Sequence, residues 1–224
     1  MNQLANLFFL KKIFKNTLFS TLGIIRSIFN SKKYGIKSGY FHRNKIIHFD
    51  DSNNKDEWQK EVYEFAFDYY NQNKFTSIID IGCGSAYKLL KYFQDQQFIG
   101  VEVEPTLQNL KKLYPDKVWL NFFEIKDISV DLVICSDVIE HIENPAEFID
   151  FLNRNINFKK IIISTPERDL MHSKLHYGPT KNICHYREWN SKELKNFLAS
   201  YLIIESHHIS NRKQATQVIL ASKR

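Results

Sequence analysis

Residues 75–104, FTSIIDIGCGSAYKLLKYFQDQQFIGVEVE, decide the fold of this chain. The apolar, β-branched run SIIDI predicts a short central strand of a parallel sheet, covered on both faces. Gly82 and Gly84 permit a tight turn, and a helix is predicted to begin near Ala86 with its first amides facing the same space. The next strand ends on Glu102, whose carboxylate can accept hydrogen bonds from ribose hydroxyls. The stretch therefore predicts a binding site for a nucleotide-type cofactor.

Strands and helices alternate through the rest of the chain, which predicts a parallel sheet with helices on both faces. We predict strands over 75–81, 97–103, 117–121, 130–136 and 158–165, and helices over 57–70, 86–94, 106–113, 145–154 and 191–200. The last two apolar runs, 201–208 and 216–222, have no helix between them and predict a closing antiparallel hairpin. A chain of 224 residues is long enough to bury one sizeable core.

One long stretch, residues 166–190, lacks a regular pattern and reads PERDLMHSKLHYGPTKNICHYREWN. Loops of this length inside a compact domain are usually functional or disordered. The density of histidine and aromatic side chains favours function. We therefore predict that this stretch forms part of a substrate pocket.

Four segments resemble motifs of one enzyme family. DIGCGSA, residues 80–86, resembles the D-x-G-x-G signature of class I S-adenosylmethionine (SAM) methyltransferases, and DLVICSDVIEH, residues 131–141, resembles their fourth strand and the following loop. IIISTP, residues 161–166, resembles their fifth strand. HYREW, residues 185–189, resembles a segment that precedes the next helix in small-molecule methyltransferases, many of them linked to bacterial glycans. The resemblance covers residues 55–224.

This resemblance implies a Rossmann-like α/β fold, with helices on both faces of a seven-stranded, mostly parallel sheet whose final strand is antiparallel. It also implies SAM as the cofactor, which brings its own activated methyl group. The methionine part and ribose are expected near the glycine turn, and the adenine beside the residues that follow the second and third strands. The implied cofactor-binding residues are Asp80, Gly82, Cys83, Gly84, Glu102, Val103, Asn121, Ser136 and Asp137.

Histidines in the second half of the chain are candidates for proton transfer. Methylation of a hydroxyl requires removal of a proton, and histidine accepts protons near neutral pH with little tuning. His141 follows the predicted fourth strand, while His172, His176 and His185 lie in the irregular stretch. We predict His141 and His185 as the catalytic residues. Either one is also compatible with a structural role, hydrogen-bonded to the backbone.

The DVIEH segment also resembles a metal-binding cluster. An E-x-x-E-H cluster holds a divalent ion in ubiquinone-pathway O-methyltransferases and small-RNA 2′-O-methyltransferases, and Asp137 here replaces its first glutamate. Within one helical turn, Asp137, Glu140 and His141 can face one ion. The small-RNA enzymes add a downstream histidine, for which His172, His176 and His185 are the candidates here. An ion such as Mg²⁺ would act as a Lewis acid on the acceptor hydroxyl. In metal-free members of the family, the glutamate and histidine of this motif instead stabilise the loop.

Residues 1–45 form a basic N-terminal arm that precedes the predicted methyltransferase domain, residues 46–224. The arm carries nine lysine and arginine residues and no acidic residue, whereas the remaining 22 basic and 25 acidic residues leave the domain with a net charge of −3. Apolar residues recur in the arm at helical spacing: Leu7, Leu10, Phe14, Leu18, Leu22, Ile25 and Phe29. Lysines interrupt the apolar runs, which argues against a membrane-spanning helix. The arm predicts either a helix that packs on the domain or covers its site, or a segment, residues 1–30, that binds an anionic membrane surface.

The predicted function is SAM-dependent O-methylation of a hydroxyl on a small molecule or a glycan precursor. The odd number of cysteines, Cys83, Cys135 and Cys184, indicates no disulfide framework and favours a cytoplasmic location. Three alternatives stay open: RNA 2′-O-methylation, N-methylation of a small amine, and a non-catalytic SAM-binding partner. The acidic balance of residues 46–224 argues against nucleic acid, because a phosphate-binding surface should be basic.

Overall fold

The structure is a computed structural model that describes residues 18–28, 31–48 and 50–224. The lysines at positions 11, 12 and 15, and the predicted apolar stripe before residue 18, lie outside the described residues. Within the described part of the chain, no helix combines the length and the apolar character needed to cross a membrane.

The described residues form seven strands and seven α-helices. The strands are β1 (Ser77–Ile81), β2 (Gln97–Val101), β3 (Val118–Leu120), β4 (Ile128–Ser136), β5 (Ile156–Pro166), β6 (Leu202–Asn211) and β7 (Thr216–Lys223). The helices are α1 (18–27), α2 (Lys60–Gln72), α3 (Tyr87–Phe93), α4 (Thr106–Leu113), α5 (Pro145–Asn155), α6 (Arg168–Met171) and α7 (Ser191–Leu198). Single turns of 3-10 helix, Phe122–Glu124 and Ile139–His141, follow β3 and β4.

The strands form one sheet in the order β3-β2-β1-β4-β5-β7-β6. Strands β1 to β5 pair in parallel, and β7 is antiparallel to both of its neighbours. The predicted seven-stranded sheet with a reversed final strand is confirmed. Because β1 lies between β2 and β4, the chain order reverses there, and open α/β sheets bind ligands at the carboxyl ends of the strands at such a point.

Both faces of the central strands are buried, as the SIIDI run predicts. Successive side chains point to opposite faces, so Ile79 and Val133 join one hydrophobic cluster while Ile78 and Leu132 join the other. Helices α5 and α7 cover the first cluster, and α2, α3 and α4 cover the second. The strand ends that carry the predicted site therefore stand on a core buried from both sides.

Two helices begin later than predicted. The helix expected from residue 57 begins at Lys60, and the helix expected near Ala86 begins at Tyr87. The preceding residues, Gln59 and Ala86, have φ angles of 64° and 57°, a left-handed conformation that cannot continue a right-handed helix.

Residues 36–48, which we call the strap, lie against the 166–190 segment. Ile36 and Tyr40 are buried in the same hydrophobic cluster as α5 and α7. Three backbone hydrogen bonds join the two pieces: Phe41 N–H to the Tyr177 carbonyl (2.8 Å), Arg43 N–H to that of Tyr186 (2.9 Å), and Ile47 N–H to that of Ile183 (3.2 Å). The predicted boundary after residue 45 does not coincide with a break in this packing.

The 166–190 segment contains a short helix that its sequence did not predict. Arg168, the first residue of α6, has no exposed surface, and its guanidinium donates to both carboxylate oxygens of Glu193 at 2.6 and 3.1 Å. Glu167 forms a backbone bridge with Trp189, which brings the two ends of the segment together. Contacts between residues that are distant in sequence thus order the 166–190 segment, which has no local periodicity.

Protonation of His42 in the strap should destabilise the fold. Burial, together with repulsion from Arg187, lowers the pKa of His42 to about 4, so below about pH 6.5 the unfolded chain takes up a proton that the folded protein does not. This contribution to stability is present above pH 6.5 and is lost as the pH falls towards 4. Between pH 7 and pH 5 we expect a loss of about 2 kcal/mol in the free energy of unfolding from this group.

Urea denaturation of the wild type and of His42→Gln at both pH values measures this effect. Glutamine keeps an acceptor for the Arg187 Nε–H group, which donates to His42 Nδ1 at 3.3 Å, but it does not titrate. Between pH 7 and pH 5, the free energy of unfolding of the variant should fall by about 2 kcal/mol less than that of the wild type. An equal loss in both proteins would contradict the assignment.

Candidate active site

A cavity of about 1380 Å³ opens at the carboxyl ends of β1, β2 and β4. The glycine turn, residues 51–59, the strap, the start of α5 and residues 182–185 contribute to its walls. Pockets for one drug-sized ligand measure roughly 300–1,000 Å³. The cavity therefore has room for a nucleotide-sized cofactor together with a second reactant.

The glycine turn is held by the carboxylate of Glu102. Gly84 N–H donates to Glu102 Oε2 at 2.7 Å, and Val103 N–H donates to Oε1 at 2.8 Å. Gly84 has a φ of +57°, and a Cβ there would lie 3.1 Å from a carboxylate oxygen of Asp51, so a side chain would be both strained and crowded. Gly82 and the buried Cys83 complete this wall of the cavity. The turn therefore presents backbone groups and an anchored acidic residue to one space.

The two residues predicted beside the adenine differ in position. Val103 lines the cavity beyond β2. Asn121 does not line it, because its Oδ1 accepts a hydrogen bond from Phe123 N–H and so caps the 3-10 turn after β3. Phe122 and Phe123 line the cavity at this point instead. The end of β3 thus offers apolar surface where the sequence predicted an amide.

Ser136 and Asp137 lie in the wall after β4, within a hydrogen-bond network. Ser136 Oγ donates to Gln59 Oε1 at 3.0 Å, and the Ser164 hydroxyl donates to Asp137 Oδ1 at 2.9 Å. Burial raises the pKa of Asp137, partly opposed by the hydrogen bonds from Ser164 and Gln59. These contacts connect the ends of β4 and β5 with the residue before α2.

His141 faces the cavity with one ring nitrogen already engaged. Its Nδ1 lies 2.8 Å from the carbonyl oxygen of Cys184. Because a carbonyl only accepts, Nδ1 carries the hydrogen and Nε2 keeps a lone pair. Burial, followed by the neighbouring His185, lowers the pKa of His141 to about 4, so the ring is neutral near pH 7.

His185 is oriented by Glu188, a residue that the sequence analysis did not select. His185 Nδ1 lies 2.9 Å from Glu188 Oε1, which places the hydrogen on Nδ1 and the lone pair on Nε2. The Nδ2 group of Asn182 donates to this Nε2 at 2.9 Å, so Asn182 must move before Nε2 can accept anything else. The His-x-x-Glu spacing of residues 185–188 was the available signal, although this stretch is not helical in the structure.

Glu188 is a buried carboxylate with three donors. Besides His185, it accepts hydrogen bonds from the Thr180 hydroxyl at 2.6 Å and from His172 Nε2 at 2.9 Å. Burial alone would raise the pKa of Glu188, but these hydrogen bonds hold it well below its usual range. His172 and His176, also candidates for the pocket, are not among the residues that line the cavity. Of the histidines in the 166–190 segment, His185 is therefore the one at the cavity wall.

Glu140, His141 and His185 form a compact cluster. One ligand atom of each lies within 4.8 Å of the others, and the imidazole centroids are 4.7 Å apart. Glu140 is fully buried. Its Oε2 accepts from the Thr165 hydroxyl at 2.9 Å, and its Oε1 has no hydrogen-bond partner. The cluster contains Glu140 and His141 of the predicted metal set together with His185 as the downstream histidine, and Asp137 is not part of it.

A comparison with families of known proteins agrees with this geometry. The family model described as a methyltransferase domain matches residues 51–201, which is more than half of the chain. The chain belongs to this methyltransferase family. The matched residues include the glycine turn, Glu102, the DVIEH loop and the whole 166–190 segment.

Solved structures share the fold of this methyltransferase. The methyltransferase domain of bacterial CtHen1-C has a TM-score of 0.59 and 20% identity, over 74% of this chain and 98% of that one. Small RNA methyltransferase HEN1 has a TM-score of 0.55 and 18% identity, over 74% of this chain and 26% of that one. Burkholderia thailandensis 1,6-didemethyltoxoflavin-N1-methyltransferase, with bound S-adenosylhomocysteine, has a TM-score of 0.56 and 19% identity, over 75% of this chain and 81% of that one. A comparison with curated proteins gives no match.

SAM is the cofactor of this methyltransferase, and the residues at the glycine turn fit it. Asp80 at the end of β1 is fully buried and accepts the Tyr63 hydroxyl on Oδ2 at 2.8 Å, while Oδ1 has no hydrogen-bond partner. Burial raises the pKa of Asp80 to about 7. A cationic group such as the ammonium of SAM would favour the ionised form. Asp80 does not itself line the cavity, but Tyr63, Ile81 and Gly82 around it do.

Glu102→Ala should weaken SAM binding by this methyltransferase about 10- to 150-fold. Hydrogen bonds to a charged group contribute about 1.5–3 kcal/mol, and the change also frees Gly84 N–H from its acceptor. Calorimetric titration with SAM measures the affinity. Glu104→Ala is the matched control, because Glu104 is exposed and does not line the cavity. A wild type that fails to bind millimolar SAM, or a Glu102→Ala variant with unchanged affinity, would contradict the assignment.

Proposed function

We propose that this methyltransferase methylates a hydroxyl oxygen on a small molecule or a glycan precursor, with His185 and His141 as the catalytic residues. One observation carries the proposal. The two rings lie edge to face at the cavity wall, each with Nδ1–H bound to an acceptor and the lone pair on Nε2, which in His185 accepts from Asn182. A hydroxyl is a poor nucleophile until its proton is taken, and a neutral imidazole with this orientation can take it.

Bound SAM supplies an electrophilic methyl group on a positively charged sulfur. As the acceptor oxygen attacks, its proton passes to Nε2 of His185 once Asn182 has turned away. Glu188 then stabilises the imidazolium through the hydrogen bond to Nδ1, because its carboxylate stays ionised at neutral pH. We assign Glu188 as a positioning residue, since it acts through His185.

The same two Nε2 atoms also suit a divalent metal ion, which we propose as the second candidate chemistry. The unpaired Oε1 of the buried Glu140 would be the third ligand. Ligating histidines usually donate their other ring N–H to a carboxylate or a carbonyl, as His185 does to Glu188 and His141 does to Cys184. An ion here would orient the acceptor hydroxyl and lower its pKa.

RNA 2′-O-methylation is the alternative function that a specific observation favours. The Glu140, His141 and His185 cluster supports it, as does the basic composition of residues 18–48. The net charge of −3 over residues 46–224 opposes it, because phosphate contacts need a basic surface. N-methylation of a small amine and a non-catalytic SAM-binding role have no residue in the cavity that favours them over hydroxyl methylation.

We also propose a cytoplasmic location, with contact between residues 1–30 and an anionic membrane surface. Cys83, Cys135 and Cys184 are unpaired, which supports a reducing compartment. The described part of residues 1–30 combines exposed leucine and isoleucine side chains with Arg26. Both features are typical of a segment that lies on a bilayer.

Incubation of the protein with labelled SAM and a fractionated metabolite and glycan extract tests the acceptor class. We expect the label in an O-methyl ether, and His185→Gln should lower the rate about 10²- to 10⁴-fold. Glu188→Gln should lower the rate by less than His185→Gln does, because it weakens the stabilisation of the imidazolium without removing the ring. The matched control is His207→Gln, since His207 bonds to Gln217 on β7 and does not line the cavity. Label found in nucleic acid or on nitrogen would overturn the proposal.

Measurement of Mn²⁺ binding distinguishes metal-dependent chemistry from base catalysis by His185. If an ion is held, calorimetry should show one Mn²⁺ per chain, and Glu140→Ala should weaken its binding at least tenfold because one ligand of three is lost. Asp137→Ala is the matched control, because Asp137 is a nearby carboxylate outside the cluster. Absence of Mn²⁺ binding, or full activity after exhaustive chelation, would exclude the metal and leave His185 as the base.

A further inference from the structure

Helix α1 carries its apolar residues on the face that points away from the protein. The inward face consists of Phe19, Ser20, Gly23 and Ser27. The exposed apolar residues, which we call the α1 apolar face, are Leu18, Leu22, Ile24, Ile25 and Ile28. A surface helix normally buries its apolar stripe against the core. Here the pattern is reversed, so the helix is built to place apolar surface outside.

Close packing fixes this orientation of α1. Gly23 is so near the 166–190 segment that a Cβ there would lie 2.4 Å from Cγ of Tyr177. A Cβ at Gly39 in the strap would lie 2.0 Å from the Gly23 carbonyl oxygen. The Ser20 hydroxyl also donates to the Leu175 carbonyl at 2.9 Å. Small residues on the inner side therefore keep the helix against the protein with its apolar face outward.

The surroundings of the α1 apolar face are basic. Residues 18–48 contain six lysine and arginine residues and no acidic residue, and residues 170–186 contain Lys174 and Lys181, again with no acidic residue. Lys174, Lys181 and Leu175 are exposed, and Leu175 lies beside Ser20 of α1. In the described part of these two stretches, the α1 apolar face is thus accompanied by basic residues and by no acidic residue.

We propose that the α1 apolar face docks onto the surface of an anionic lipid bilayer. Aliphatic side chains can enter the boundary between headgroups and acyl chains, while the flanking cations attract acidic lipids, each strengthening binding about fivefold. A second copy of the chain fits poorly, because a symmetric interface would place two basic surfaces opposite each other. Nucleic acid fits the cations but leaves the isoleucines unexplained.

Docking of α1 should order part of the cavity wall, because α1 is connected to the cavity by the strap. Ile46 and Ile47 of the strap line the cavity, as do Lys33 and Tyr34 between α1 and the strap. The strap also holds the 166–190 segment that carries His185. A bilayer that immobilises α1 should therefore also order these two pieces. The inference rests on the proposed membrane contact of residues 1–30 and on no step of methyl transfer.

Sedimentation with vesicles of phosphatidylcholine and phosphatidylserine tests the inference with the full chain. We expect the wild type to bind vesicles with 30 mol% phosphatidylserine, and to bind vesicles of phosphatidylcholine alone at least tenfold more weakly. The double variant Ile25→Gln/Ile28→Gln should bind the phosphatidylserine vesicles at least tenfold more weakly than the wild type. Ile203→Gln should bind like the wild type. It is a matched control because Ile203 on β6 is 52% exposed and Ile25 is 50% exposed.

Hydrogen exchange gives the second readout. On addition of anionic vesicles, the amides of Phe41, Arg43 and Ile47 should exchange at least fivefold more slowly in the wild type and not in the double variant. Equal vesicle binding by the wild type and the double variant would overturn the role of the α1 apolar face while leaving the membrane contact standing. Dimerisation that the double variant abolishes, without vesicle binding, would assign the face to a second copy and overturn the inference.

Discussion

The buried carboxylate of Glu188 is the interaction on which the acceptor side of the cavity depends. Removal of a carboxylate from water costs several kcal/mol unless charge and hydrogen bonds compensate for it. Thr180, His172 and His185 each donate to it, and hydrogen bonds to a charged group contribute about 1.5–3 kcal/mol each. The three bonds together offset this cost. The 166–190 segment is therefore ordered as a unit, and the orientation of His185 follows from that order.

The two sides of the cavity are stabilised by different means. On the cofactor side, Asp80, Gly84 and Glu102 stand at the ends of strands buried on both faces, so the sheet itself sets their positions. On the acceptor side, His185 and Glu188 lie in a segment without a strand. There the order comes from the buried Arg168 and Glu193 pair and from the strap. In the proposed function, a cofactor site built on the sheet could serve many acceptors, and the 166–190 segment beside it would select among them.

The same division explains what the sequence could predict. The strands, the glycine turn and Glu102 follow from local periodicity and from turn chemistry, and the seven-stranded sheet with its reversed last strand follows from the resemblance. Short-range patterns did not reveal the left-handed residues Gln59 and Ala86, because a single φ angle leaves no period in a sequence. The helix α6 depends on a contact between residues 25 positions apart, and the cluster brings His185 to Glu140 and His141 from a different part of the chain. The role of Glu188 depends on the orientation of its side chain rather than on a local pattern. Asn121 shows a related limit, since its position at the end of β3 was predicted but the cap that occupies its side chain was not.

The cluster of Glu140, His141 and His185 is under a constraint that links its two proposed chemistries. Burial, together with repulsion from Asp137, raises the pKa of Glu140 well above its usual value, and burial lowers the pKa of His141 to about 4. Both groups are thus driven towards their neutral forms, in which Glu140 is a hydrogen-bond donor and His141 is a proton acceptor. A divalent cation would reverse the preference of Glu140, because its charge favours the carboxylate, and it would occupy the lone pair of His141. Base catalysis and metal binding are therefore exclusive uses of the same atoms, since a lone pair that ligates an ion cannot accept the proton of a hydroxyl.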